Sequence, residues 1–337
     1  MSSAGSNYSS EVAKRSSYNC APPRQVRHML FKNLFVYRLP AEWSWTAGDL
    51  ETRLGGHLLR PCGHFDMLTR GWQPVTKGGR LLHTVGQHHM LSLGTNQKLL
   101  PASIIRQVAE ERAEAQAAEQ GFPVGRKQMR DIKAQVADEL RARAFTRRST
   151  TRAWIDSQRG WFVIDAAGAP RAESVLETLV ATLDSFVPSP LEAARSPHLF
   201  MSSWIMQGGA PFRFAIDDDL ELQAADETKS SIRYVRHSLD GKDIRSHLAA
   251  GKYPTRLGLT WNGRVSFVLT DKLCLKRIEF LEVGKDQTDA EEVDPAEQFD
   301  IDFAVMAGEL SALLKDLAQI IESPQSSELL ATQSKVA

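Results

Sequence analysis

The sequence predicts an α+β fold of antiparallel sheets with helices packed on them. Three stretches carry that expectation. In "RLGLTWNGRVSFVL" (256–269), Leu257, Leu259 and Trp261 alternate, Asn262-Gly263 supplies the positive φ angles of a type I′ turn, and Val265, Phe267 and Leu269 alternate back. Between residues 103 and 143, helical spacing replaces alternation, broken by "GFPVG" at 121–125. Near the end, Phe303, Met306, Leu310, Leu313, Leu317 and Ile320 recur at intervals of 3, 4, 3, 4 and 3. That heptad seam suits a core helix and a dimer helix alike.

Residues 1–28 are Ser-rich, with Lys14, Arg15, Arg24 and Arg27 against Glu11 alone. They read as a disordered extension or a start-site overhang, and the folded part is expected to begin at Met29. A first α+β part spans 29–102. Within it, Leu34–Leu39 is a strand apolar on both faces, a short helix lies around Asp49–Leu59, and 61–93 gives strands and turns. Residues 103–150 hold two helices. The first carries Ile104, Ile105 and Val108, and the second, Arg126–Arg143, carries a narrow stripe of Met129, Ile132, Val136 and Leu140. Thin apolar seams and a Gly-Pro turn fit a projecting helical hairpin, or two ordinary helices lying on a sheet.

Residues 151–190 return to the first part through the hairpin "AWIDSQRGWFVID" (153–165) and a helix near Arg171–Phe186. Pro188, Pro190 and Pro197 mark a boundary, and a second α+β part covers 191–322. It opens with a helix at Met201–Gln207 and a strand near 212–216. Asp217-Asp218-Asp219 could feed a two-metal nuclease but reads rather as a solvated helix start, and "IRYVRHSL" (232–239) as a basic strand. A helix follows with Asp240 as candidate N-cap and Gly251 just past its end. "LCLKRIEFL" (273–281) adds a third strand to the 257–269 hairpin, an acidic loop (286–298) leads to the heptad-patterned helix, and 323–337 is a frayed tail.

Of the 337 residues, Lys+Arg and Asp+Glu both number 41, so bulk charge selects no partner. Cys20, Cys62 and Cys274 lie far apart with no CxxC pair, which suits a reducing, cytosolic compartment. No stretch reaches the roughly 20 apolar residues of a membrane span, and 1–28 lacks the apolar centre of a secretory signal.

Phosphate-binding loops and the GxSxG nucleophile motif are missing, and no enzyme is expected. His57, His64, His83, His88 and His89 with Cys62 invite a metal reading. The adjacent pair in "QHHM" would point to opposite faces of a strand, so neither metal nor cofactor is expected. Charge is segregated instead. Residues 141–152 hold Arg141, Arg143, Arg147, Arg148 and Arg152 around Phe145, with no acid. Residues 229–256 hold seven Lys/Arg, including Arg236 and Lys252, against Asp240 and Asp243. Residues 281–302 carry nine acids and one lysine. One basic and one acidic face would follow, the basic one able to hold phosphates without reading sequence, or merely solvated.

Several short stretches, in order, resemble one family: "LFKNLFVYRL" (30–39), "PCG" (61–63), "GW" (71–72), "LP" (100–101), "RAFTR" (143–147), "WID" (154–156), "AGK" (250–252), "LKRIEF" (275–280) and "FDIDFAVMAGELSALL" (299–314). Together they resemble the recombination-associated protein RdgC family of bacterial nucleoid-associated proteins, from about Met29 to Leu317. The resemblance implies a non-enzymatic homodimer with a projecting helical tip, closed into a ring around DNA. It also implies binding with little base preference, a cytoplasmic, nucleoid-associated location, and antagonism of RecA-mediated strand exchange. Phe145 corresponds to the family's apolar ring contact. The family's Lys-Gln pair falls on Arg236-His237, where the charge is kept and Gln is replaced by a titratable His. Arg141, Arg143, Arg147, Arg148, Arg152, Arg236, His237 and Lys252 are thus the candidate DNA contacts. The other reading is a scaffold or protein-interaction module with solvated basic faces.

Overall fold

A computed structural model describes residues 31–184, 186–281 and 294–322. The chain passes through β1 (Leu34–Arg38), α1 (Ala47–Gly55), β2 (Leu68–Gln73), β3 (Leu82–Val85) and β4 (His88–Lys98). Two helices, α2 (Ala102–Gln120) and α3 (Arg126–Arg143), precede β5 (Thr146–Asp156), β6 (Trp161–Asp165) and α4 (Ala169–Thr182). The second half runs β7 (Ser189–Pro190), α5 (Pro197–Gln207), β8 (Phe214–Ala224), β9 (Ser231–Tyr234) and α6 (Lys242–Ala249). It ends with β10 (Lys252–Trp261), β11 (Val265–Thr270), β12 (Leu275–Phe280) and α7 (Pro295–Ile321). Among the described residues all strands join one open sheet in the order β2-β4-β5-β6-β1-β12-β11-β10-β8-β9, with β3 on β4 and β7 on β1. Pairings between these strands are antiparallel, so the α+β class with antiparallel sheets holds.

β1 lies mid-sheet, which explains its two apolar faces. Leu34 and Val36 enter the larger core with α7, while Phe35 and Tyr37 pack on a second core under α1 and α4. β5 and β6 divide the same way: Trp154, Trp161 and Val163 face α7, and Ala153, Ile155, Phe162 and Ile164 face α4. All six heptad positions of α7 are buried in the larger core, so the seam is a core seam. Between the halves, β1 and β12 share a single register pair, Leu34↔Leu275. α2 and α3 pack on each other through their own small cluster, Ala109, Ala113, Ile132 and Val136.

Local readings hold where backbone chemistry is decisive. Asn262 and Gly263 take φ of 52° and 63°, as the type I′ turn requires. Elsewhere the structure corrects them. Helix α1 begins earlier, at Ala47, capped by reciprocal Thr46–Asp49 bonds, and stops before 59, where Leu59 N donates to Trp72 O of β2 and Trp72 N donates to His57 O. Helix α4 ends at Thr182 rather than Phe186, and α5 starts at Pro197 rather than 201. The Asp217–Asp219 triplet lies on β8 and not at a helix start. There Thr260 Oγ1 donates to Asp217 (2.8 Å) and Arg277 pairs with Asp219 (3.2 Å). The basic strand stops at Tyr234, since Arg236 turns to φ 52°. Gly241, not Asp240, occupies the N-cap of α6, with no side-chain cap bond. The N-terminal extension, most of the acidic loop and the tail from 323 lie outside the described residues.

Gly71 marks the tightest backbone approach. A Cβ there would lie 2.4 Å from Leu59 N and 2.5 Å from Leu58 C, against main chain that cannot rotate away. We expect Gly71→Ala to destabilise the fold by about 3 kcal/mol in chemical denaturation. An unchanged midpoint would mean that the 57–59 segment simply lifts off β2.

Candidate nucleic-acid interface

The arginine-rich stretch begins in the last turn of α3, where Arg141 and Arg143 complement the negative helix end. Arg141 is held by Asp138 at 2.8 Å. The chain then leaves the helix at Ala144 and enters the sheet. Leu99 N donates to Phe145 O (2.8 Å) and Thr146 pairs with Lys98, so the Phe145 backbone is fixed while its ring is 85% exposed. Residues 146–152 are strand because β4 pairs with them residue for residue, Lys98↔Thr146 to Ser92↔Arg152.

Strand alternation splits the arginines. Arg148, Thr150 and Arg152 share one face, and Arg147 lies on the other. On the first face Arg148 donates to Gln73 Oε1 (2.8 Å), and Gln73 Nε2 donates to Thr150 Oγ1 (2.9 Å). Gln73, Ser92, Thr150, Arg152 and Asp165 line a polar depression of about 270 Å³. Burial pulls the Arg152 pKa down, while nearby Asp165 pushes it up. Burial raises the Asp165 carboxyl, opposed by backbone N–H donation from Asn33 and Lys32 (both 3.0 Å) and by Arg152.

The second basic stretch is not gathered with the first. From β5 to β9 there are seven strand steps, roughly 34 Å along the sheet at about 4.8 Å each. Arg236 borders an open depression of about 620 Å³ shared with Asp217, Asp218, Asp219, Arg277 and Glu279, so acids surround it. His237 extends the β8–β9 pairing by donating its N–H to Asp218 O (3.1 Å), and its Nδ1 meets Ser238 O (2.8 Å). Lys252 opens β10 opposite Ala224. It lies roughly 20 Å along the strands from the Asp218 level. The structure therefore sets Arg148 and Arg152 on one face of β5 and Arg147 on the other, with Arg143 and Phe145 just ahead of the strand, and leaves Arg236-His237 and Lys252 apart.

Sequence reasoning missed the residues around Phe145. Lys98 is buried, and its ammonium donates to Gly63 O (2.6 Å) and His64 O (3.0 Å). This pins the loop carrying Phe65, which is 82% exposed. Lys98 N bonds Met67 O, so Met67, Leu99 and Phe145 lie at the same end of three neighbouring strands, all exposed. Their distance in sequence hid this apolar patch; the one signal was a lone Phe within a Gly- and His-rich turn.

His88 and His89 do point apart. His88 accepts from Trp154 Nε1 (3.3 Å) and His89 meets Thr84 Oγ1 (3.0 Å), both with pKa values lowered chiefly by burial. Among the described residues no three His, Cys, Asp or Glu side chains are grouped to hold a metal, and no helix is long and apolar enough to cross a membrane.

Comparison with known proteins places this open antiparallel sheet and its arginine-bearing strand among the recombination-associated proteins. Residues 29–323 match the family model described as "Putative exonuclease, RdgC". A Cupriavidus pinatubonensis protein named "Recombination-associated protein RdgC" is 44% identical over 293 residues, 87% of this chain and 98% of that one. Proteins of the same name from Cupriavidus necator (45% over 293 residues; 87% and 98%) and Herminiimonas arsenicoxydans (42% over 297 residues; 88% and 99%) agree. The chain belongs to the RdgC family.

Proposed function

We propose that the chain binds DNA without reading base sequence, as a homodimer closed into a ring around the duplex, and limits recombination by antagonising RecA-mediated strand exchange. The reading is non-enzymatic, with α2 and α3 as a projecting hairpin at the ring's tip. The observation that carries it is the passage from α3 into β5. One short segment combines an exposed Phe145, suited to a second copy, with Arg143, Arg147 and Arg148, suited to phosphates. The recombination-associated naming of the relatives agrees with this.

Fluorescence anisotropy with two unrelated duplexes tests it. Equal affinities that fall steeply between about 50 and 200 mM salt are expected, because phosphate contacts release counterions. Arg147→Glu and Arg236→Glu should each weaken binding about tenfold, attraction being exchanged for repulsion. No binding to either duplex at low salt would leave the scaffold reading, which the acidic surroundings of Arg236 favour. The exonuclease of the family description would draw on Asp217–Asp219, two of which are already engaged by Thr260 and Arg277. Recovering labelled duplex intact after incubation with magnesium separates binding from cleavage.

A further inference from the structure

We infer that one flank of α3, where Arg126 and Arg130 are exposed and Lys133 and Arg141 half-buried, is a further phosphate-contacting surface, a cationic rail that extends the β5 interface along the helix pair; this rests on the DNA-binding reading above. Arg126, Arg130, Lys133 and Arg141 recur so that, at about 100° per residue, all four fall within roughly 80° of the helix circumference. The line from Arg126 to Arg141 is about 22 Å long, the span of some six base-pair steps at about 3.4 Å each. It lies beside the apolar stripe that faces α2, where Ile132 and Val136 are buried.

Charge on the pair is polarised. α3 carries six Lys/Arg against three acids, whereas α2 carries two against four. Two of the three α3 acids already have cationic partners. Asp138 is taken by Arg141 (2.8 Å), and Glu139 by Arg112 of α2. Among the described residues Arg126, Lys127, Arg130 and Lys133 make no ion pair. Two of these cations, Arg126 and Lys127, stand in the first helical turn, which holds no acid. That is the wrong sign for the helix dipole, so folding does not select them.

The occupant is a nucleic-acid backbone rather than the α2 of a second copy. Protein contacts centre on buried apolar anchors, and this flank offers only Ala134 and Ala137 between its cations. Small residues between long cations instead let a phosphate chain approach closely. The rail also ends where β5 begins, so one strand of phosphates can follow both.

The test is the full-length triple variant Arg126→Gln/Arg130→Gln/Lys133→Gln, with its helix content checked by circular dichroism. Neutralising three contacts should flatten the slope of log K against log salt by about 2.7, at roughly 0.9 per contact, with sedimentation unchanged. Wild-type binding with the same slope in the variant overturns this inference alone. Absence of binding by the wild type overturns it together with the DNA reading. A variant that keeps the slope but sediments differently assigns the flank to a second copy, and also overturns it.

Discussion

Phe145→Ser should abolish self-association at micromolar concentration while leaving the thermal midpoint within a degree or two of wild type. The two halves of that expectation have separate causes. The Phe145 ring is 85% exposed, so its loss removes almost no intramolecular packing. Its backbone stays fixed, because Leu99 N bonds Phe145 O whatever the side chain. In the proposed ring the same ring is an aromatic anchor, and truncating such an anchor removes about 2–4 kcal/mol of binding, a loss of roughly thirtyfold to a thousandfold. Met67, Leu99 and Phe65 around it are exposed too. Sedimentation velocity across a concentration series reads the first half, and DNA loading onto closed circles the consequence. If both match wild type, Phe145 is a surface residue with no assembly role.

Asp156→Ala should show the opposite pattern, with a loss of about 3–5 kcal/mol of stability. Asp156 is 1% exposed at the β5–β6 turn. Its Oδ1 accepts from the backbone N–H of Gln158 (3.1 Å) and Arg159 (3.0 Å), and its Oδ2 accepts from the Ser311 hydroxyl of α7. Arg159 closes the loop by donating to Ser311 Oγ (2.8 Å). Truncation leaves the buried Ser311 hydroxyl and two backbone N–H groups of the turn without their acceptor, at the place where α7 is fastened to the first half. Ser311→Ala removes one spoke and should cost about 1–2 kcal/mol. Urea denaturation measures both. A loss under 1 kcal/mol for Asp156→Ala would mean that water replaces the carboxylate.

What could be read from the sequence follows from how local each cause is. Asn262-Gly263 needs only its own backbone preference, and α3 only its spacing and the Gly-Pro break before it. The double-sided run of β1 marked a strand with two apolar faces, and its mid-sheet position explains them. The α7 seam was periodic but silent on what covers it, and Trp261, Phe267 and Trp154 turned out to do so. Asp217–Asp219 misled because consecutive acids resemble a helix start. On β8 they stand over Gly258, whose missing side chain leaves room for their Cβ atoms. At the candidate interface, the arginine count was plain but its division between faces was not. That division depends on the β4–β5 register, which no property of residues 146–152 alone fixes. The Phe65–Met67–Leu99 surroundings of Phe145 arise from pairing across β2, β4 and β5, and so were invisible.

The meeting of both ends of the described chain at the sheet's centre also sets a timetable for synthesis. Phe31 N approaches Met306 Sδ (3.4 Å), Leu34 pairs with Leu275, and Arg38 grips Glu322 (2.9 Å). When Asp165 has left the ribosome the first six strands can pair, yet Trp154, Trp161 and Val163 still await the helix that covers them. That helix is complete about 150 residues later, roughly 10–30 s at ordinary elongation rates. Through that interval the nascent chain presents an aromatic-rich sheet face, the kind of surface that holding chaperones occupy. Among the described elements α7 is the last to be made, so that face is covered only at the end.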